Sequence, residues 1–264
     1  MCRWAAYLGD AIFLEDIVSA PSHSLIAQSH CAQEAKTATN GDGFGVAWYG
    51  EREEPGLYRD ILPAWSDPNL LHLCRQVRSR LFLAHVRAST VGATSRDNCH
   101  PFACGRWAFM HNGQIGDFGV IRRELENSLP DTLYACRHGT TDSELLFLIM
   151  LDEGLNADPQ GASERAVARV ITAARRAGIE PHIRLTAALS DGQALHAVRY
   201  ATDRFAPTLY LSESRHGRSL VSEPLDGNGA AWQPVPAGSF VTVTAEGVAV
   251  RPFVPVEERL AVAV

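Results

Sequence analysis

No run of this 264-residue chain is long and apolar enough to suggest a membrane span. The longest helical-looking one, ELLFLIML (144–151), has eight residues and suits a buried helix. The N-terminus lacks the basic start, apolar middle and small-residue cleavage site of a secretory leader, so a cytoplasmic chain with reduced thiols is expected. Excess positive charge is absent too: the net charge is −6, which argues against a nucleic-acid or anionic-membrane partner. The six cysteines, at 2, 31, 74, 99, 104 and 136, form no C-x-x-C pair. Cys99, His100 and Cys104 cluster in NCHPFAC, but a second ligand pair at a usual zinc spacing is missing. They read as core residues and an ordinary histidine, and neither metal nor cofactor is expected. A G-x-G-x-x-G fingerprint and βαβ alternation are also lacking. NGDGFG (40–45) has the glycines, but a strand follows it instead of a helix, which argues against a phosphate cradle. No low-complexity linker, charge block or repeat divides the chain, so residues 1–264 are expected to form a single domain.

What is present is a strand–helix–strand order. Aromatic and β-branched stretches predict strands at 3–8, 44–50, 81–89 and 106–113. Helices are expected around 68–79, 117–127, 141–154 and 163–177. The last has Ser163 as its cap, a stripe of Ala166, Val167, Val170, Ile171 and Ala174, and Gly178 as its stop. Residues 184–201 read as a hairpin turning at Asp191-Gly192, and further strands follow to about residue 253. Strands flanking a helical block imply an α+β arrangement of mostly antiparallel sheets covered by helices.

Four stretches are polar where a strand end would be expected to turn blandly: NGDGFG (40–45), HVRAST (85–90), MHNGQI (110–115) and GTTDSELL (139–146). Each has an ordinary explanation. Asn-Gly and Asp-Gly are turn dipeptides, a strand-end arginine snorkels, and TTDSE is a capping box with Thr141 as N-cap and Glu144 completing it. Cys2 changes the weighing. Removal of Met1 leaves a thiol and a free α-amine on one residue. The amine, near pKa 7.7–8.0 as a rough reference, can accept a proton from a thiol near about 8.5. Asn112 and the backbone N–H of Gly113 can then stabilise a tetrahedral oxyanion, Arg87 can grip an α-carboxylate, and Asp142 can hold an α-ammonium.

Cys2 followed in order by HVRAST, MHNG and TTDSE resembles the class II glutamine amidotransferases, which are N-terminal-nucleophile hydrolases with a four-layer αββα sandwich. The resemblance covers residues 2 to about 150 and continues through LVSEPLDGNGAAWQPVPAGSFVTV (220–243). It implies that Cys2 is the nucleophile, with its own α-amine as general base and acid. Asn112 and Gly113 form the oxyanion hole, Arg87 and Asp142 hold the substrate's carboxylate and amino group, and Thr90 lines the glutamyl pocket.

The sequence departs from members that feed ammonia to a synthase. Asn40 stands near where a His-Arg-Gly stretch is usual, Ala88 follows the pocket arginine in place of an aromatic, and Val91 replaces a histidine. MCRWAAYLG and RASTVG are closest to the stand-alone branch, which includes the γ-glutamyl amidohydrolase of ergothioneine synthesis. No synthase-sized segment remains beyond the amidase domain. The expectation is outright hydrolysis of a small-molecule γ-glutamyl amide. The alternatives are an ammonia-supplying subunit docked on a separate synthase partner, and a non-catalytic module binding γ-glutamyl metabolites. His23, His30, His72, His138, His182, His196 and His216 are read as loop and surface residues. His85, His100 and His111 lie inside the motifs and are given no contact with substrate.

Overall fold

The computed structural model describes residues 2–34, 39–89 and 94–255. The chain opens with β1 (Arg3–Phe13), followed by the short helices α1 (Glu15–Val18) and α2 (Leu25–His30). Strands β2 (Phe44–Trp48) and β3 (Gly56–Asp60), helix α3 (Pro68–Gln76) and strand β4 (Arg78–Val86) come next. After β5 (Phe102–Cys104) and β6 (Trp107–Ile115) lies the helical block α4 (Phe118–Asn127), α5 (Asp131–Tyr134), α6 (Asp142–Asp152) and α7 (Pro159–Arg176). The chain then returns to strands: β7 (Ile183–Ser190), β8 (Leu195–Ala201), β9 (Tyr210–Glu213) and β10 (Gly217–Val221). The last three are β11 (Gln233–Pro234), β12 (Ser239–Val243) and β13 (Val248–Pro252).

Two antiparallel sheets result, ordered β11-β9-β10-β1-β4-β2-β3 and β13-β12-β8-β7-β6-β5. Their side chains alternate with a period of two, and the buried clusters follow that alternation. Trp4, Ala6, Leu8, Leu81 and Leu83 from the first sheet meet Ala108, Met110, Ala188 and Ala197 from the second in a layer between them. Ala5, Tyr7, Phe82 and Ala84 point the other way, onto α1, α2 and α3. Phe109, Leu185 and Leu189 face outward from the second sheet onto α4, α6 and α7. The order helix, sheet, sheet, helix is the αββα sandwich that the resemblance implied. No helix among the described residues is long and apolar enough to cross a membrane.

Local sequence explains most boundaries, and the differences are informative. Helix α7 begins at Pro159, before the expected Ser163: the Asp158 side chain accepts from Gly161 N and a proline occupies the first helical position. Ser163 lies inside the helix, with its hydroxyl donating to the Pro159 carbonyl at 2.7 Å. Thr141 does cap α6, accepting from Glu144 N at 3.1 Å. The box is not closed, because the Glu144 carboxylate turns back to accept from His138 N and Gly139 N. The hairpin turns where expected, with Asp191 Oδ1 accepting from Gln193 N and Ala194 N. His196 corrects its reading as a surface residue: it lies buried on β8 beside Trp107 and Phe240, with its ring pushed down to about 4 by burial.

Candidate active site

Of the sequence-predicted residues, Cys2, Arg87, Asn112 and Gly113 collect at one end of the space between the sheets, and Asp142 stands on α6 against the end of β6. Cys2 directly precedes β1, and its Sγ lies 3.6 Å from the Ala88 carbonyl oxygen, just past the end of β4. Strand β1 pairs with β4 as Arg3 to Val86 and Trp4 to His85, so Cys2 stands across from Arg87. Trp4, one side chain further along the Cys2 face of β1, donates from Nε1 to the Thr186 carbonyl at 3.1 Å. Thr186 is the ladder partner of Asn112. The start of β1 and the Asn112 end of β6 are therefore tied together across the sandwich. His85 Nε2, 3.4 Å from the His111 carbonyl oxygen, ties β4 to the same place.

Asn112 is fully buried, and neither its amide nitrogen nor its oxygen has a hydrogen-bond partner among the described residues. Buried carboxamides are ordinarily satisfied, so this one is arranged for something other than packing. Gly113 has φ +151°, and a Cβ there would lie 1.8 Å from the Arg184 carbonyl oxygen and 2.6 Å from His111 Nε2. Only glycine fits that position. His111 itself faces outward, with Nδ1 2.9 Å from Ser143 Oγ, and this packing fixes the strand that carries Asn112.

Arg87 is 3% exposed. Its guanidinium donates to Ser89 Oγ at 3.0 Å and to the Asp42 carbonyl at 3.3 Å, and no carboxylate pairs with it among the described residues. The NGDGFG segment folds over this strand end: Arg87 N donates to the Gly43 carbonyl, and Asp42 Oδ2 accepts from Ser89 N at 2.7 Å. Its glycines serve close approach, since a Cβ on Gly45 would lie 2.3 Å from the His100 carbonyl oxygen. Asp142, the first residue of α6, is anchored to the far end of β6. Its Oδ2 accepts from Ile115 N at 2.8 Å, and its Oδ1 accepts from Ser143 N and Oγ. A carboxylate has about four acceptor sites, so one remains for a ligand. Thr90 and Met1 lie outside the described residues.

The electrostatics are those of a water-poor site. Burial pushes the Cys2 thiol up from its ordinary value, with the Arg87 and Arg3 charges pulling against it. Burial drives the His85 ring down to about 3, Arg87 adding to the effect and the His111 carbonyl opposing it. His100, its ring tilted against that of His85 with centroids 4.3 Å apart, is driven well below its usual range for the same reason. Burial thus favours the neutral form of both these histidines beside a guanidinium that no carboxylate pairs among the described residues. Cys99 is a core residue, its thiol raised to about 11 by burial. Among the described residues, no three His, Cys, Asp or Glu side chains gather as a metal site.

The sequence reading missed Trp4 and Thr186; His85 it set inside its motif, without substrate contact. His85 and Arg87 are two apart on one strand and so share a face, a signal that HVRAST carried openly. Trp4 and Thr186 depend on contacts between sheets, for which the sequence offers no local sign.

Comparison with known proteins adds to this geometry. The model of the family described as glutamine amidotransferases class-II matches residues 16–217. The chain is 33% identical to the probable glutamine amidotransferase DUG3 of Saccharomyces cerevisiae, over 96% of this chain and 85% of that protein. It is 29% identical to the gamma-glutamyl-hercynylcysteine sulfoxide hydrolase of Mycolicibacterium smegmatis, over 96% of this chain and 100% of that protein. Among solved structures, a glutamine aminotransferase class-II domain protein from Silicibacter pomeroyi matches with TM-score 0.76 and 44% identity, over 96% of this chain and 100% of that one.

Proposed function

This chain belongs to the class II glutamine amidotransferases, and we propose that within them it is a cysteine-dependent hydrolase of γ-glutamyl conjugates that releases glutamate. Hydrolysis of a γ-glutamyl amide in general follows from the family; the nucleophile and the choice of a conjugate over glutamine are our reading. The observation that carries it is Arg87, a buried cation with no carboxylate partner among the described residues, set across from Cys2. A buried unpaired charge is costly, and a substrate α-carboxylate supplies the missing anion through a bidentate pair. Asp142 receives the α-ammonium. Carboxylate and ammonium sit on the same carbon, so Arg87 and Asp142 together hold one end of the glutamyl half, and its γ-carbonyl at the other end lies between Cys2 and Asn112.

The chemistry then needs a base, because a thiol raised by burial does not ionise unaided at neutral pH. With Met1 removed, the α-amine of Cys2 takes the thiol proton, and the thiolate attacks the amide carbon. The Asn112 amide and Gly113 N–H stabilise the oxyanion. The protonated amine gives its proton to the departing nitrogen, leaving a thioester that water cleaves to glutamate and free thiol. The relative named as a γ-glutamyl-conjugate hydrolase supports a conjugate as substrate.

Intact-mass measurement with a substrate panel tests the reading. The active protein should lack Met1 and release glutamate from γ-glutamyl peptides. Cys2→Ala should keep its fold and lose at least ~10³-fold in kcat. A Met1-bearing protein of full activity, or an active Cys2→Ala variant, refutes the mechanism. Activity that appears only with a second protein present points instead to an ammonia-supplying subunit.

A further inference from the structure

Beside the catalytic cleft runs a groove of about 520 Å³ lined by Glu34, Arg184, Arg204, Phe205, Pro207 and Thr208, among others. That volume suits a small ligand. The groove abuts both halves of the site. On one side, the Glu34 carbonyl accepts from Arg3 Nη2 at 2.8 Å, one residue from Cys2. On the other, Thr186, the ladder partner of Asn112, donates from its hydroxyl to the Pro207 carbonyl at 2.9 Å. Arg184 lines the groove with its side chain while its carbonyl presses on Gly113. A substrate seated with its γ-carbonyl at Asn112 would have this groove within reach of whatever lies beyond the scissile nitrogen.

The charges here are unevenly matched. Arg184 is neutralised by Asp203 at 2.8 Å. Arg199, beneath the groove floor, donates to the Pro207 and Ala206 carbonyls and has no carboxylate partner among the described residues. Arg204 lies with its guanidinium carbon 5.0 Å from the Phe205 ring centroid, and it too has no acidic partner among the described residues. Against these two cations stands one acid, Glu34, whose Oε1 accepts from the Tyr210 hydroxyl at 2.9 Å. The groove thus carries net positive charge at its Arg204 end. Phe205, 57% exposed, faces solvent between the Arg184 and Arg204 guanidinium groups, an arrangement that packing does not require.

We propose that this groove is the leaving-group subsite and that it selects leaving groups bearing a carboxylate, which pairs with Arg204 while the adjoining side chain rests on Phe205. The proposal builds on the γ-glutamyl hydrolase reading above and narrows its substrate class to γ-glutamyl amino acids and peptides. Every such conjugate carries a free carboxylate beyond the scissile amide, and glutamine and γ-glutamyl alkylamides carry none. Binding energy gathered there acts only on the conjugates.

The test compares kcat/KM for glutamine, γ-glutamylmethylamide and γ-glutamylglycine in the wild-type chain and in Arg204→Ala and Arg204→Lys. Loss of a charge-assisted hydrogen bond should cost Arg204→Ala ~10–100-fold on γ-glutamylglycine alone. The other two substrates should stay within about threefold, and Arg204→Lys should recover part of the loss. An equal loss on all three substrates, or none on γ-glutamylglycine, overturns the subsite and leaves the hydrolase reading standing. Failure of the wild-type chain to cleave any of the three overturns both.

Discussion

Replacing Asn112 by alanine separates a catalytic carboxamide from a structural one. In a structural role, a fully buried asparagine would hold neighbours through its amide, and its removal would strand them. Here the amide has no partner among the described residues, so nothing is stranded. A buried polar group without a partner costs the fold about 1–3 kcal/mol, which the substitution relieves. The space left by three heavy atoms costs about 1–2 kcal/mol at ~24 cal/mol per Å³. The two nearly cancel, and Asn112→Ala should unfold in urea within about 1.5 kcal/mol of wild type. Its effect on catalysis should be of another order: loss of one oxyanion donor costs ~10²–10³-fold in kcat, about 2.7–4 kcal/mol. KM should change little, since the donor is aimed at charge that develops only in the transition state. Urea midpoints and steady-state glutamate release on the same preparations give both numbers. A variant destabilised by more than about 3 kcal/mol with kcat within threefold of wild type would place Asn112 in the architecture and remove it from the chemistry.

Two further outcomes follow from the buried charges. Arg87→Met removes a cation that no carboxylate compensates among the described residues, so the urea midpoint should hold or rise, while KM for γ-glutamyl substrates increases ~10–100-fold or more; a less stable variant with unchanged KM would contradict the assignment. His85 and His196 have folded-state values near 3 and 4, below the unfolded reference of about 6.5. The unfolded chain therefore binds protons first as pH falls, and stability complete above about pH 6.5 is lost below it. Between pH 7.5 and 5.5 each of these two should cost about 1.4 kcal/mol in urea unfolding, and His196→Gln should remove roughly one such share of the pH dependence. An unchanged pH slope in that variant would show that His196 charges freely in the fold.

The layer order was legible because alternation and punctuation are local. RWAAYL, FGVAW and LFLAHV announce strands by themselves, and the ordered motifs singled out Cys2, Arg87, Asn112 and Asp142 as candidates without any contact between distant segments. Ser163 misled because it caps well in isolation; Asp158 followed by Pro159 is the stronger start, and the helix took it. His196 misled because a histidine is polar, and nothing near it in sequence says that Trp107 and Phe240 will enclose it. The same holds for the groove. Arg184, Arg199, Arg204 and Glu34 look like scattered surface charges until β7, β8 and the segment after α2 bring them together. What the sequence withholds is long-range pairing, and the leaving-group side of the cleft is built entirely from it.

The proposed nucleophile at residue 2 raises a physical difficulty, since chain termini fray and catalysis needs sub-ångström placement. The fold answers it one residue later. Arg3 is fully buried and ion-paired to Glu223 at 3.2 Å, while its Nη2 and Nη1 donate to the Glu34 and Ser222 carbonyls. Glu223 also accepts from Gln33 N and Glu34 N and meets His23 Nε2 at 2.6 Å. Burial alone would raise this carboxyl, but His23, the two amides and Arg3 outweigh it and hold it below the usual carboxylate range. The next residue is gripped as firmly, with Trp4 N donating to Ser222 Oγ at 2.9 Å and Ser222 N to the Trp4 carbonyl at 3.0 Å. The Ser-Glu-Pro turn, more than two hundred residues away, thus fixes positions 3 and 4 and leaves Cys2 as the last freely aimed residue, pointing into the cleft. Buried ion pairs add little net stability to a fold, but they do impose geometry when every lone pair is used. Here geometry is what the proposed reaction requires: a terminus held still enough for one sulfur and its own nitrogen to meet a carbonyl repeatedly.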